Sequence, residues 1–95
     1  MSTTEAPDLA MRALALHPQV ALRREPFGAL AYHYGTRRLV FLKHPDVVRV
    51  VESLADHTSV AATLDACSIA PARRPAFERA LTSLLESEMV HDRTR

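Results

Sequence analysis

Five histidines, one cysteine and eleven side-chain carboxylates are the groups in this chain that could do covalent, acid–base or metal chemistry, and their spacing favours none of these uses. His17, His33, His44, His57 and His91 are scattered, with no pair at the i, i+4 interval that sets two imidazoles on one helix face for a metal. Cys67 stands alone, short of the several ligands that a zinc or iron–sulfur site requires, and no basic group is placed to activate it as a nucleophile. It reads as a buried apolar filler. The carboxylates fall on polar helix faces rather than beside like charges, which is how a general acid is tuned. Asp56 and His57 are adjacent, but chain neighbours point apart, and nothing suggests the orienting group and oxyanion hole of a catalytic pair. With two glycines in all, there is no glycine-rich phosphate loop. The expectation is a protein that is not an enzyme and holds no cofactor or metal.

The chemistry that remains is recognition by a backbone. Between Arg37 and Leu42, Leu39 and Phe41 lie on one face of a strand and Val40 and Leu42 on the other, so both faces are apolar. A strand with solvent on one side does not need that pattern; it is central, or something covers its second face. A free strand edge displays unpaired N–H and C=O groups that can template a guest strand. Downstream, Phe77, Leu81, Leu84 and Leu85 fall at i, i+4, i+7 and i+8, an apolar helical stripe. Ala76 and Ala80 extend the stripe with small side chains and would leave a shallow furrow beside the large ones.

The elements that must position these residues follow from periodicity. Val20 and Leu22 alternate with Ala21 and Arg23, then Leu30, Tyr32 and Tyr34 alternate with Ala29, Ala31 and His33. Pro26 breaks the first strand and Gly28 starts the second; Gly35-Thr36 turns the chain into the third, because glycine tolerates positive φ. At Pro45 the period becomes helical, with proline at the first helical position and Asp46 in the first turn. Val47, Val50, Val51 and Leu54 form the core stripe of a helix over 45–55. Ser59 is the N-cap of a second helix to Cys67, whose buried face is Val60, Leu64 and Cys67, and a third helix runs over 73–88. Three antiparallel strands followed by three helices is an α+β winged helix-turn-helix. Residues 1–16 read as a flexible segment, disordered to about Asp8 with a helical turn over 9–16; residues 17–90 form the domain; residues 91–95 are a polar tail.

Ninety-five residues make one domain with one modest core, nearly half of them apolar. A lone cysteine suits a reducing cytoplasm, and no stretch reaches the ~20 apolar residues that span a bilayer. The net charge of +1 conceals an asymmetry. Arg23, Arg24, Arg37, Arg38 and Lys43 face only Glu25 in the strand region, whereas Asp46, Glu52, Asp56 and Asp65 face only Arg49 in the first two helices. An acidic partner is drawn to the strand side.

The run from His17 to Arg23, the block from Glu25 to Leu39, and the continuation through Val40–Lys43 into the helices resemble the MftB family of mycofactocin-system peptide chaperones. The Glu25–Leu39 block is specific; the helical part is generic. The resemblance implies a PqqD-type recognition element that binds the acidic leader of a ribosomally made precursor peptide and hands it to a radical SAM maturase. It implies that the leader adds as an antiparallel strand to the third strand, wedged against the third helix. On that basis the peptide-binding residues are Arg37, Arg38, Leu39, Val40, Phe41 and Leu42 on the strand side, with Arg74, Phe77, Glu78, Leu81, Leu84 and Leu85 on the helix. Arg37, Arg38 and Arg74 would steer the acidic leader, and proline at Val40 would remove a donor from the pairing edge.

The competing reading is a DNA-binding winged-helix regulator, since a shared fold does not decide function. A recognition helix for DNA is strongly basic, whereas the last helix mixes Arg73, Arg74 and Arg79 with Glu78, Glu86 and Glu88. The expectation is therefore no nucleic-acid or membrane partner and a monomer or weak dimer; a dimer pairing through the same strand edge is the other alternative.

Overall fold

A computed structural model describes residues 8–93. Its elements are β1 (Leu14–Leu16), β2 (Val20–Glu25), β3 (Gly28–His33), β4 (Leu39–Leu42), α1 (Pro45–Ser53), α2 (Val60–Ala66), α3 (Arg74–Glu86) and β5 (Val90–Asp92), with single 3-10 turns at Leu9–Met11, Leu54–Asp56 and Pro71–Arg73. The disordered start expected at Met1–Asp8 lies, apart from Asp8, outside the described residues.

The expected meander is present as an antiparallel sheet in the order β2-β3-β4, followed by the three helices. This α+β arrangement is compatible with a PqqD-like winged helix. Period-two alternation sets its faces. Val20, Ala29, Ala31 and Leu42 are buried toward the helices, while Arg23 and Phe41 face outward. Ser59 caps α2 as its residue type suggests, its Oγ accepting the Ala62 N–H at 3.1 Å. Val60, Leu64 and Cys67 are all buried, and the core closes with Phe77, Leu81 and Leu84 from α3.

Four features depart from the sequence reading. First, the segments expected to be a helical turn and a polar tail pair with each other. Only Leu9–Met11 is helical; β1 pairs antiparallel with β5, Leu14 opposite Asp92 and Leu16 opposite Val90. Burial of Leu14, Met89 and Val90 drives this, with backbone bonds His17 N–H to the Met89 carbonyl (2.9 Å) and Arg93 N–H to the Ala13 carbonyl (2.7 Å) extending the ladder. Second, in α1 the buried valines are Val48, Val50 and Val51, whereas Val47 is only half-buried. Third, α1 ends at Ser53 and α3 at Glu86, each tightening into a turn before the boundary that periodicity suggests.

The fourth departure concerns the β3–β4 turn. Gly35 does not carry the positive φ; Arg37 does, at 68°. The turn is held instead by His33, a buried residue whose Nδ1 accepts the N–H groups of Gly35 (3.0 Å) and Thr36 (3.1 Å). A β-carbon at Gly35 would fall 2.6 Å from Oε1 of the exposed Gln19, whose side chain can swing aside, and 3.0 Å from the His33 ring, so the position is tight but not closed.

Candidate peptide-binding groove

β4 is the third strand of the sequence reading and an edge of its sheet. Which of its backbone groups are free follows from the hydrogen bonds at the turn. His33 N–H donates to the Arg38 carbonyl at 2.9 Å, and Ala31 lies opposite Val40, Ala29 opposite Leu42. Antiparallel ladders alternate hydrogen-bonded and non-bonded pairs, so Val40 and Leu42 turn their N–H and C=O inward to β3. Leu39 and Phe41 turn theirs to the open edge. Tyr34 N–H, which donates to the Gln19 carbonyl at 2.8 Å on the β2 side, confirms the alternation along β3. Proline at Val40 would therefore break the β3–β4 ladder rather than remove an edge donor. Phe41 is the position that tests the edge.

Side chains alternate as well. Leu39 and Phe41 project from the outer face, 62% and 46% exposed, while Val40 is half-buried and Leu42 buried on the helix side. Two residues beyond Leu42, His44 is still extended (φ −122°, ψ 136°) and enters a depression of about 400 Å³. Val47 of α1, Ala72, Arg73, and Ala76, Phe77 and Ala80 of α3 complete its walls. The furrow expected from Ala76 and Ala80 is this depression. Phe77 forms its apolar wall, and the Arg73 guanidinium lies 5.1 Å from the centre of that ring.

Charge around the groove is arranged in two tiers. Arg73 Nη1 is 3.0 Å from Asp46 Oδ2, and Arg49 donates to Asp46 Oδ1 at 3.0 Å. These two hydrogen bonds, that from Arg49 first, hold the Asp46 carboxyl below its usual range. Arg24 of β2 pairs with Glu52 of α1, so part of the basic strand and acidic helix asymmetry is neutralised inside the molecule. Among the described residues, Arg37, Arg38 and Lys43, which flank β4, make no ion pair. Three cations without an ion pair thus flank the open edge.

The other residues singled out on α3 are dispersed. Arg74 donates to Asp65 Oδ1 (2.6 Å) and to the Ile69 carbonyl (3.1 Å), which ties α3 to α2 and its connector. Leu81 and Leu84, 1% and 5% exposed, are core. Glu78 borders a separate depression with Leu9 and Arg79, and Leu85 one with His17 and His91. Of the twelve candidates, the strand residues and Phe77 lie at the edge and groove. His44, Val47, Ala72 and Arg73 were missed. The one usable signal was the i, i+4 pair Arg73–Phe77, which places a guanidinium over a ring on one helix face.

Among the described residues, no group of three or more His, Cys, Asp or Glu is arranged to hold a metal ion. No helix among them is long and apolar enough to cross a membrane. What the site offers is an open strand edge, an apolar recess at its end and a basic margin. The peptide chaperone MftB family matches residues 13–91. The chain belongs to that family.

A protein of Mycolicibacterium smegmatis named peptide chaperone MftB is 49% identical over 84 residues, covering 88% of this chain and 79% of the relative. Proteins of the same name from Mycobacterium ulcerans and Mycobacterium tuberculosis are 46% and 42% identical over 79 residues, covering 83% of this chain and 72% of each relative. No solved structure matches the chain at a significant level. The family match begins just before β1 and reaches into β5, so it takes in the pairing of the two ends as well as the meander, the groove and α3.

Proposed function

We propose that this chain is a non-catalytic peptide chaperone of the cytoplasm that captures the leader of a ribosomally made precursor, the mycofactocin precursor, and presents it to a radical SAM maturase. The leader pairs antiparallel with the Leu39–Leu42 edge and sets alternate side chains into the recess formed by Val47, Ala76, Phe77 and Ala80. The observation that carries this reading is that the open edge of β4 leads to His44 and that recess, with Arg37, Arg38 and Lys43 beside it and without acidic partners among the described residues. An acidic leader supplies partners for part of that charge.

Magnitudes assign the division of labour. Leu39 and Phe41 each offer one N–H and one C=O, and four backbone bonds at ~0.5–1.5 kcal/mol each contribute about 2–6 kcal/mol. Micromolar binding needs about 8 kcal/mol. One or two apolar side chains of the leader, at ~1.5–3 kcal/mol each when fully buried, close that gap against the ordering cost of a flexible peptide. Edge pairing sets direction and register; the recess chooses the sequence.

DNA binding finds no comparable support. Arg73 and Arg74 are engaged with Asp46 and Asp65, and of the α3 arginines only Arg79 is without an ion pair among the described residues.

Calorimetric titration of the precursor into the wild-type chain and into Ala76→Leu tests the reading. Leucine on the exposed Ala76 fills the recess without entering the core, so capture should weaken at least about tenfold, ~1.4 kcal/mol, at an unchanged melting temperature. Equal affinity for both proteins would place the leader elsewhere.

A further inference from the structure

Among the described residues five large apolar side chains are strongly exposed, and four of them, Phe27, Tyr34, Leu39 and Phe41, belong to the three-stranded sheet and its turns. Register brings two of these together with β3 on one surface. Leu30 lies opposite Phe41 and Tyr32 opposite Leu39, all on the face turned away from the helices. Tyr34 joins them through an edge-on contact with Tyr32 at 5.3 Å, and Tyr32, Tyr34, Leu30 and Leu39 border a shallow depression of about 180 Å³ with Arg23. Tyrosine, phenylalanine and arginine around an apolar centre are the residues that dominate the energetics of protein interfaces. The peptide recess lies on the opposite side of the sheet, so capture of a leader leaves this face open.

Charge decides what kind of surface fits. Arg37 and Arg38 stand beside the patch without acidic partners among the described residues, and Arg23 lies on it, paired at 2.9 Å with the half-buried Glu25. A second copy of this chain would set arginines against arginines. A partner with an apolar centre and an acidic rim would not.

We propose that the outer sheet face of Leu30, Tyr32, Leu39 and Phe41 is the docking surface for the peptide-modifying enzyme, through an apolar, acid-rimmed patch on that enzyme, and that the captured leader completes the surface. This rests on the reading under Proposed function. Strand addition on β4 places every second leader side chain outward, next to Leu39 and Phe41, which widens the same face. The enzyme therefore binds the loaded chaperone more tightly than the empty one. By linkage, the peptide binds the chaperone–enzyme pair more tightly by the same factor.

The test uses the full chain, the precursor peptide and the purified radical SAM maturase. Leu30→Thr/Tyr32→Thr keeps strand-forming residues on β3 and leaves the β4 edge and recess untouched; Arg23→Glu reverses one charge on the outer face. Peptide affinity by calorimetry should stay within about twofold for both variants, which also shows that they are folded. Enzyme affinity by biolayer interferometry should fall at least about tenfold for the double variant, and the tightening produced by saturating peptide should disappear. Arg23→Glu should weaken the enzyme at low salt, with the difference narrowing as salt rises. Undiminished enzyme binding by variants that still capture peptide overturns the docking face and leaves peptide capture standing. Self-association of the wild type that Leu30→Thr/Tyr32→Thr abolishes in sedimentation velocity assigns the face to a second copy and overturns the proposal. Failure of the wild type to bind peptide removes the reading beneath it, and the proposal with it.

Discussion

Gly28 and the carbonyl of Leu42 are packed so closely that a β-carbon on Gly28 would fall 1.8 Å from that oxygen. Gly28 opens β3 with φ at +157°, in a region that residues with side chains rarely adopt. The last pair of the β3–β4 register, Ala29 opposite Leu42, depends on this approach. Leu42 is also the last residue of β4 before the chain enters the recess. A side chain at position 28 would push the end of β4 away from its sheet.

Gly28→Ala should accordingly destabilise the domain by about 1–3 kcal/mol, the usual cost of forcing atoms into filled space, read as a lower midpoint in urea. Peptide affinity should fall with it, since the end of β4 moves. An alanine variant of native stability would show that β4 tolerates the displacement.

Proline scanning distinguishes the two edges of β4. Phe41→Pro removes an outward N–H and is tolerated as edge-strand prolines are, so circular dichroism should stay native while peptide capture drops severely. Val40→Pro removes an inward ladder donor and should lower the melting temperature sharply. The reverse pattern would mean that β4 presents its other set of backbone groups.

The meander and the helices were legible because period two and period 3.6 survive in half-buried elements, and Ser59 could be named as a cap from its type alone. The pairing of Leu14–Leu16 with Val90–Asp92 was not. Strands of three residues are too short to show alternation, and each gains its structure from a partner at the far end of the chain, down to the Arg12–Asp92 ion pair at 3.0 Å. At the site, the furrow of Ala76 and Ala80 could be read from side-chain size. The choice of Arg74 over Arg73 turned on about 100° of helical rotation, which periodicity resolves only if the start of α3 is known to the residue. Nor does sequence reveal that Val47 leaves the core to line the recess while Val48 takes its place.

Arg37 offers a separation of stability from recognition. Its φ of 68° costs a non-glycine residue about 1 kcal/mol, and its exposed side chain makes no ion pair among the described residues. Arg37→Gly should raise the melting temperature by a few degrees, roughly 4–8 °C per kcal/mol for a domain of this size, partly offset by the greater freedom of glycine in the unfolded chain. The same change should slow association with an acidic leader at low salt by removing one steering charge. Association rates equal to wild type would take Arg37 out of the recognition surface.

The β1–β5 pair meets the sheet at a cluster of imidazoles that makes stability depend on pH. His17 follows β1, its ring centre 4.5 Å from that of His33 and 5.4 Å from that of His91 in β5. Burial first, then repulsion from His33 and His91, lowers the His17 pKa from its ordinary 6.5, with Glu88 opposing. The folded state thus prefers neutral His17, and its Nδ1 accepts the Gln19 N–H at 3.0 Å. Since the unfolded chain takes up the proton more readily, the stability that neutral His17 contributes is fully present above pH 6.5. It is lost as pH falls through the lower folded value. Urea midpoints taken from pH 7.5 down to pH 5 should decline more steeply for the wild type than for His17→Asn, whose amide oxygen can take the place of Nδ1 as acceptor without titrating. Hydrogen-exchange protection at Ala15 and His91, corrected for the intrinsic slowing of exchange at lower pH, should fall over the same interval, because these two residues form the hydrogen-bonded pair of the ladder beside the cluster. Parallel pH profiles for the two proteins would exclude His17 as the source.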